Sequence, residues 1–217
     1  MGVSGKDIFK DNKKMFIPLG ILLLIAVAVT LAPQLGFEGY DPTTPLNNKE
    51  FTKAEAVLES NVDYGAILKT SQGNIEIDLF EDETPVSVNN FVFLSGKGFY
   101  NGLTFHKVIR DFIIQTGDPD ADSTGDAGYT YTDIITSRKM EPYSVAMANA
   151  GDTDSNGSQF FIVCGSAETT SIDGEYTIIG EVTSGTAVVD AIANATVDDE
   201  YKPLNDITIE SVQILED

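Results

Sequence analysis

The sequence is poor in the residues that build disulfides, metal clusters and nucleophilic sites. It has one cysteine, one histidine and no tryptophan among 217 residues. A single cysteine excludes a disulfide within the chain and a cysteine-based metal cluster. Cys164 ends an apolar run that begins at Phe160, and a small buried thiol packs there as an apolar residue. Because His106 is far away in the sequence, we interpret Cys164 as structural.

Basic residues are also scarce. The chain has 13 lysines and arginines against 34 acidic residues, for a net charge of −21. Residues 1–14 carry four lysines and two aspartates, so the rest of the chain has 9 bases, 32 acids and a net charge of −23. Such a field repels phosphate backbones and argues against nucleic acid as a partner. The acidity is interpreted as a solubility device for salty surroundings, with selection of basic client segments as the alternative.

Residues 15–33 form a long apolar run without charge. A helix of this length can cross a hydrocarbon layer of about 30 Å. Lysines precede the run and acids follow it, so the positive-inside rule places the N-terminus in the cytoplasm. We therefore predict a cytoplasmic basic tail (1–14), a transmembrane anchor (15–33) and a single-pass protein of the cell membrane. The remainder is expected on the extracytoplasmic side.

A cleaved signal peptide is the alternative to the anchor. The small-x-small pattern Ala26-Val27-Ala28 lies inside the apolar run, and a cut after Ala32 would leave Pro33 beside the cleavage site. Residues 34–63 are rich in proline, glycine and asparagine, and we predict a flexible linker that reaches about 30 Å on average. The globular domain is then predicted to occupy residues 64–217.

The pattern of this domain is mostly that of strands. Apolar and polar residues alternate over residues 74–79, which predicts a half-buried strand, and Ser71-Gln72-Gly73 predicts a hairpin turn before it. Thr84 followed by Pro85 predicts the start of a helix that can end at Gly96. Further strands are predicted at 104–109, 112–116, 144–148, 159–164, 176–182 and 207–215, and a second helix at 186–194. Many strands with two helices favour a mainly β barrel or sandwich.

Two blocks of sequence are more specific. The first is FHKVIRDFIIQTGD at residues 105–118, and the second combines MANAG at 147–151 with NGSQFFI at 156–162. In this order and spacing, they make the chain similar to cyclophilin-type peptidyl-prolyl cis-trans isomerases from about Tyr64 onward. The resemblance implies a closed eight-stranded antiparallel barrel capped by two helices, with substrate on its outer surface. Ser171 replaces a tryptophan of many eukaryotic members, as in prokaryotic ones.

The same resemblance implies ten site residues. The catalytic group would be Lys107, Gln115 and Asn149. The substrate-binding group would be Phe112, Ile113, Ala148, Gln159, Phe161, Ile172 and Tyr176. Lys107 stands where the family carries arginine, and Arg110 is a candidate to supply the missing guanidinium. No metal and no cofactor are implied. Strand geometry agrees, because residues two apart, such as Gln159 and Phe161, project from one face.

The implied function is isomerisation of X-Pro bonds in unfolded or folding extracytoplasmic proteins, by a monomer. Lys107 would stabilise the lone pair on the prolyl nitrogen of the twisted amide. His106, on the opposite face of the strand, is expected to be structural. A proline-peptide binding module or chaperone with weak or no turnover remains the alternative, because of Lys107. A calcium-dependent adhesion domain is a third possibility, but the loop that opens at Asp152 has Val163 where calcium loops need glutamate.

Overall fold

The computed structural model describes residues 50–132, 134–152, 154–165, 169 and 171–217. The predicted tail (1–14), the predicted anchor (15–33) and the predicted linker up to residue 49 lie outside these ranges. Within them, none of the helices combines the length and the apolar character needed to span a membrane.

One eight-stranded antiparallel sheet forms the framework of the domain. Its strands are β1 (Tyr64–Thr70), β2 (Gly73–Leu79), β3 (Lys107–Ile109), β4 (Ile113–Thr116), β5 (Ser144–Met147), β6 (Phe160–Val163), β7 (Ile178–Ser184) and β8 (Ile209–Glu216). The spatial order is β3-β4-β6-β5-β7-β2-β1-β8. The predicted hairpin is confirmed as β1 and β2, with Ile75, Ile77 and Leu79 buried and the residues between them exposed.

The sheet curls until its two edges approach each other. In the described part of the chain no strand ladder joins β3 to β8. Instead, the segment before β3 exchanges backbone hydrogen bonds with the start of β8 and the residues just before it. The amides of Gly102 and Phe105 donate to the carbonyls of Ile209 and Ile207, at 2.7 and 2.9 Å, and Ile209 donates back to Leu103. The predicted closed barrel is therefore a curled half-barrel whose edges are joined by irregular segments.

Two helices pack against the core of this sheet. They are α1 (Pro85–Gly96) and α2 (Thr186–Ala193), close to the predicted bounds. The start of α1 at Pro85 is confirmed, but the Thr84 hydroxyl makes no cap hydrogen bond to the helix. It donates to the carbonyls of Phe80 and Ile178, both at 3.2 Å. Thr84 thus ties the helix start to β7.

The two faces of the curled sheet carry separate apolar clusters. Phe160 and Ile162 of β6 enter the main core, where Phe91 of α1 meets Phe160 edge-on at 5.4 Å. Phe161 and Val163 point to the other face and belong to a second cluster. Alternation along one buried strand therefore builds both the core and an apolar patch on the outer surface.

The described part of the predicted linker, residues 50–63, contacts the folded domain. The Phe51 ring packs edge-on against Phe93 at 5.2 Å and lies 6.4 Å from Phe99. Its amide donates to the Ala127 carbonyl at 2.7 Å. Asn89 of α1 holds the same segment by accepting from the Val57 amide at 2.8 Å. This part of the chain is thus fixed to the domain, in contrast to the free tether expected from its composition.

Candidate active site

The ten residues named from the sequence all line one groove of about 460 Å³ on the outer surface of the sheet. They come from β3, β4, β6 and the segments around β5 and before β7. The groove has an apolar part at one side and a polar part at the other. Since the ten residues span positions 107 to 176, it is the strand order that brings them together.

The apolar part is built on the second cluster. Phe161 and Ile113 are 2% and 8% exposed, on the neighbouring strands β6 and β4. The Tyr176 ring meets Phe161 edge-on, with 5.1 Å between the ring centroids. Phe112 and Ile172 are half-buried and pack against the same cluster. This arrangement offers an apolar pocket of preformed shape, suited to a small saturated ring.

The polar part is a chain of side-chain contacts across three segments. Lys107 and Gln115 are direct cross-strand partners on β3 and β4. Their side chains therefore project from the same face of the sheet, with about 5 Å between the two Cβ atoms. Nε2 of Gln115 donates to Oε1 of Gln159 at 2.8 Å. Nε2 of Gln159 donates to the Gly125 carbonyl at 2.9 Å. The two amides are thereby oriented beside the apolar pocket.

Lys107 is the only basic residue among those that line the groove, within the part of the chain that the structure describes. In the same part, no hydrogen bond or ion pair holds its half-buried side chain. Arg110, proposed from the sequence as a substitute, does not line the groove. Its guanidinium donates to the Asn194 carbonyl at 3.4 Å, at the end of α2. Within the described residues, the positive charge available to the groove is therefore that of Lys107.

Asn149 connects the groove wall to the segment before β7. Its Nδ2 donates to the Glu175 carbonyl at 3.1 Å, and its Oδ1 accepts from the Gly151 amide at 3.0 Å. In the described residues, no hydrogen bond uses the Asn149 backbone. The Asn149 side chain thus already makes hydrogen bonds within the protein, whereas its backbone N–H and C=O remain available to a ligand.

His106 and Cys164 lie outside this groove. His106 is 4% exposed, and burial lowers its pKa, so the imidazole is neutral at neutral pH. Cys164 is 1% exposed, and burial raises the pKa of its thiol to about 11. Neither group has the access or the charge state of a catalytic nucleophile, in agreement with the structural roles expected from the sequence.

Comparison with known proteins identifies the framework that carries this groove. Residues 66–214 match the family model described as "Cyclophilin type peptidyl-prolyl cis-trans isomerase/CLD". The chain belongs to the cyclophilin family. The resemblance inferred from the two sequence blocks is thereby confirmed.

Individual cyclophilins are similar to this chain in sequence. A peptidyl-prolyl cis-trans isomerase of Rhizopus delemar is 44% identical over 154 residues, which are 69% of this chain and 24% of that protein. Peptidyl-prolyl cis-trans isomerase B of Streptomyces anulatus is 40% identical over 169 residues, 69% of this chain and 95% of that protein. The chain therefore spans about a quarter of the Rhizopus protein and nearly all of the Streptomyces one.

A solved cyclophilin structure is similar as well. The cyclophilin-type isomerase of Cryptosporidium parvum superposes with a TM-score of 0.66 at 31% identity, over 71% of this chain and 99% of that one. The same protein has been crystallised in the presence of the dipeptide Ala-Pro. The likeness covers nearly all of the Cryptosporidium chain.

Other residues that line the groove were not predicted from the sequence. Its polar end is also lined by residues of the loop 123–126, by Thr130 and by the segment around Ser155. The loop is shaped by the Asp118 carboxylate, which accepts from the amides of Asp120 and Asp122 at 2.8 and 3.2 Å. The aspartates spaced two apart over residues 118–122 thus act as turn formers. This spacing was the available signal for a structured loop.

Proposed function

We propose that this protein catalyses cis-trans isomerisation of X-Pro bonds in unfolded or folding proteins on the extracytoplasmic side of a membrane. The observation that supports the proposal most is the position of Lys107. It lies opposite Gln115 and lines the same groove as the apolar cluster around Phe161. A cation next to an apolar pocket suits an X-Pro amide, which has an apolar ring to bury and a nitrogen that gains a lone pair when the amide twists.

The chemistry needs neither a covalent step nor a proton transfer. Rotation about the X-Pro bond is slow because it breaks amide resonance, with a barrier of about 18–20 kcal/mol. In the twisted state the prolyl nitrogen becomes pyramidal and gains a lone pair. A group that binds this state better than the planar amide accelerates the reaction. A thousandfold acceleration requires about 4 kcal/mol of such differential binding.

The groove offers a group for each part of this task. The apolar pocket of Phe112, Ile113, Phe161 and Ile172 would hold the proline ring. The Lys107 ammonium would interact with the lone pair on the prolyl nitrogen. The open backbone groups of Asn149 and the amide of Gln115 would fix the peptide backbone while the acyl side turns. In support of such a ligand, the Cryptosporidium cyclophilin was crystallised in the presence of Ala-Pro.

The extracytoplasmic location and the monomeric state are further parts of the proposal. The location rests on the charge-free run at 15–33, with lysines before it and acids after it. A full-length protein with this anchor would sediment with membranes and resist carbonate extraction. External protease would remove residues 64–217 from intact cells. Recovery of a shortened soluble protein that begins near Pro33 would contradict the anchor.

Turnover tests the proposed reaction directly. Full-length protein in detergent is expected to increase the exchange rate between cis and trans X-Pro peptide in an NMR exchange experiment. Binding without any exchange, in the wild type and in Lys107→Arg, would leave the binding module as the function. A groove that binds no prolyl peptide at all would contradict both.

A further inference from the structure

A second groove of about 510 Å³ lies between residues 52–58 and the start of α1. Alternate residues Ala54, Ala56 and Leu58 form one wall, as expected of a chain in extended conformation. Val86, which is 47% exposed, forms part of the other wall. The groove therefore presents a mostly apolar surface that the folding of the domain leaves uncovered.

The wall made by residues 54–58 is held firmly in place. Nδ2 of Asn89 donates to the Glu55 carbonyl at 2.8 Å, and its Oδ1 accepts from the amides of Val57 and Leu58 at 2.8 and 3.3 Å. By contrast, no hydrogen bond within the described residues engages the backbone of Ala54 or Ala56. A fixed segment with open backbone groups beside an apolar groove is a surface that an extended peptide can join by main-chain hydrogen bonds.

This second groove adjoins the first. Thr130 lines both grooves. Asn90 lines the second groove, and its Nδ2 donates at 3.0 Å to the carbonyl of Gly157, a residue that lines the first. The Tyr129 hydroxyl donates to Oδ1 of Asn90, and burial raises the pKa of Tyr129 to about 12, so this donor stays protonated. These hydrogen bonds of Asn90 hold the wall between the two grooves in place.

We propose that the second groove binds the client polypeptide beyond its X-Pro segment, as an extended chain with apolar residues at alternate positions. The inference rests on the proposed function, because the first groove must hold the proline. We choose this occupant because Thr130 lines both grooves, which places them side by side, and because the backbone groups of Ala54 and Ala56 are open. The protein would thereby prefer prolines within long unfolded segments over prolines near a chain end.

The test uses the full-length protein and three peptides. The first is a prolyl tetrapeptide, and the other two carry it with eight alternating valines and serines added before or after the core. Eight extended residues reach roughly 26 Å. We expect one extension to raise kcat/KM at least fivefold over the tetrapeptide. The double variant Ala56→Glu/Val86→Glu should abolish this gain and leave tetrapeptide turnover unchanged.

Leu204→Glu is the matched control, because Leu204 is 63% exposed and lines neither groove. It should keep the gain. The inference is overturned if neither extension increases kcat/KM, or if the gain persists in the double variant. A change of sedimentation coefficient in the double variant would instead assign the groove to a second copy of the chain.

The same design separates this inference from the proposed function. Turnover of the tetrapeptide by the wild type tests the reaction alone. If it is absent, the Kd values of the three peptides replace kcat/KM as the measured quantity. A fivefold tighter binding of one extended peptide, lost in the double variant, would still support the second groove.

Discussion

Gln115 and Gln159 are joined side chain to side chain, with 2.8 Å between Nε2 of the first and Oε1 of the second. Nε2 of Gln159 in turn donates to the Gly125 carbonyl. Strand β4 is therefore connected through two amides to the loop 123–126 on the far side of the groove. A change at either glutamine should affect peptide binding, but only Gln159 should affect the loop.

This difference can be measured. We expect Gln115→Ala and Gln159→Ala each to lower kcat/KM several-fold, since each leaves the other amide without its oriented partner. Amide hydrogen exchange in residues 123–126 should accelerate in Gln159→Ala and stay near the wild-type rate in Gln115→Ala. Equal exchange in both variants would show that the loop does not depend on the Gln159 contact.

Lys107 should determine the rate rather than the stability. Lys107→Ala is expected to lower kcat/KM 10- to 100-fold, or roughly 1.4–2.7 kcal/mol of transition-state stabilisation. Lys107→Arg should raise kcat/KM, because a guanidinium is planar and can contact both the prolyl nitrogen and Gln115. The melting temperature should change little, since no ion pair of Lys107 exists within the described residues. A Lys107→Ala variant with wild-type kcat/KM would contradict the assigned role.

Phe161 should affect the binding of prolyl peptides more than the rate of isomerisation. Phe161→Ala removes part of the apolar pocket and the ring contact with Tyr176. We expect a higher KM for prolyl peptides, with a smaller change in kcat. Because Phe161 is buried, the variant will also lose stability, so a Phe161→Leu variant serves as the comparison that keeps most of the volume. A KM that both variants leave unchanged would argue against a ring pocket at this position.

Phe51 tests whether the segment before β1 stabilises the domain. Phe51→Ala removes edge contacts with Phe93 and Phe99, and we expect a loss of about 2 kcal/mol in the free energy of unfolding. For a domain of this size that lowers Tm by about 4–8 °C. Val57→Ala is the control, since Val57 is 37% exposed. Equal Tm values for the two variants would mean that residues 50–63 are dispensable.

His106 predicts a dependence of stability on pH. Burial disfavours the imidazolium, so the pKa of His106 in the folded state lies below its unfolded value of about 6.5. Between these two pKa values the unfolded chain binds more protons, and stability therefore falls as the pH drops below about 6.5. The measurement is denaturant unfolding from pH 8 to 5. His106→Gln should remove this component of the decline, and an unchanged profile would exclude His106 as its source.

The structure shows why much of the fold could be predicted. Ile75, Ile77 and Leu79 alternate with polar residues because one face of β2 is buried, so the periodicity of two is visible in the sequence. Thr84 followed by Pro85 likewise predicts the start of α1. The site residues, in contrast, were grouped by their family resemblance. On β6 all four residues are buried, so the pattern could not distinguish Phe160, in the core, from Phe161, in the groove.

Other contacts could not be predicted from the sequence, because one of the two partners is a backbone group. Gln159 binds the carbonyl of Gly125, and Phe51 binds the carbonyl of Ala127. Any residue type supplies a carbonyl, so the sequence does not mark these partners. Asn89 is similar: a polar residue in a helix looks solvent-facing, yet its side chain holds the Glu55 carbonyl and two amides. Composition alone therefore suggested a flexible linker where the chain is fixed.

The pairing of β1 with β8 has a consequence for biosynthesis. Tyr64 opens the first strand and pairs with Glu216 of the last, so the sheet needs both ends of the domain. At roughly 5–20 residues per second, on the order of 10 s separate their emergence from the ribosome. During this time the outer edge of β1 has no partner, and an unpaired strand edge invites wrong contacts. A protein proposed to assist the folding of others thus begins as a nascent chain whose own first strand stays unpaired until β8 has been made.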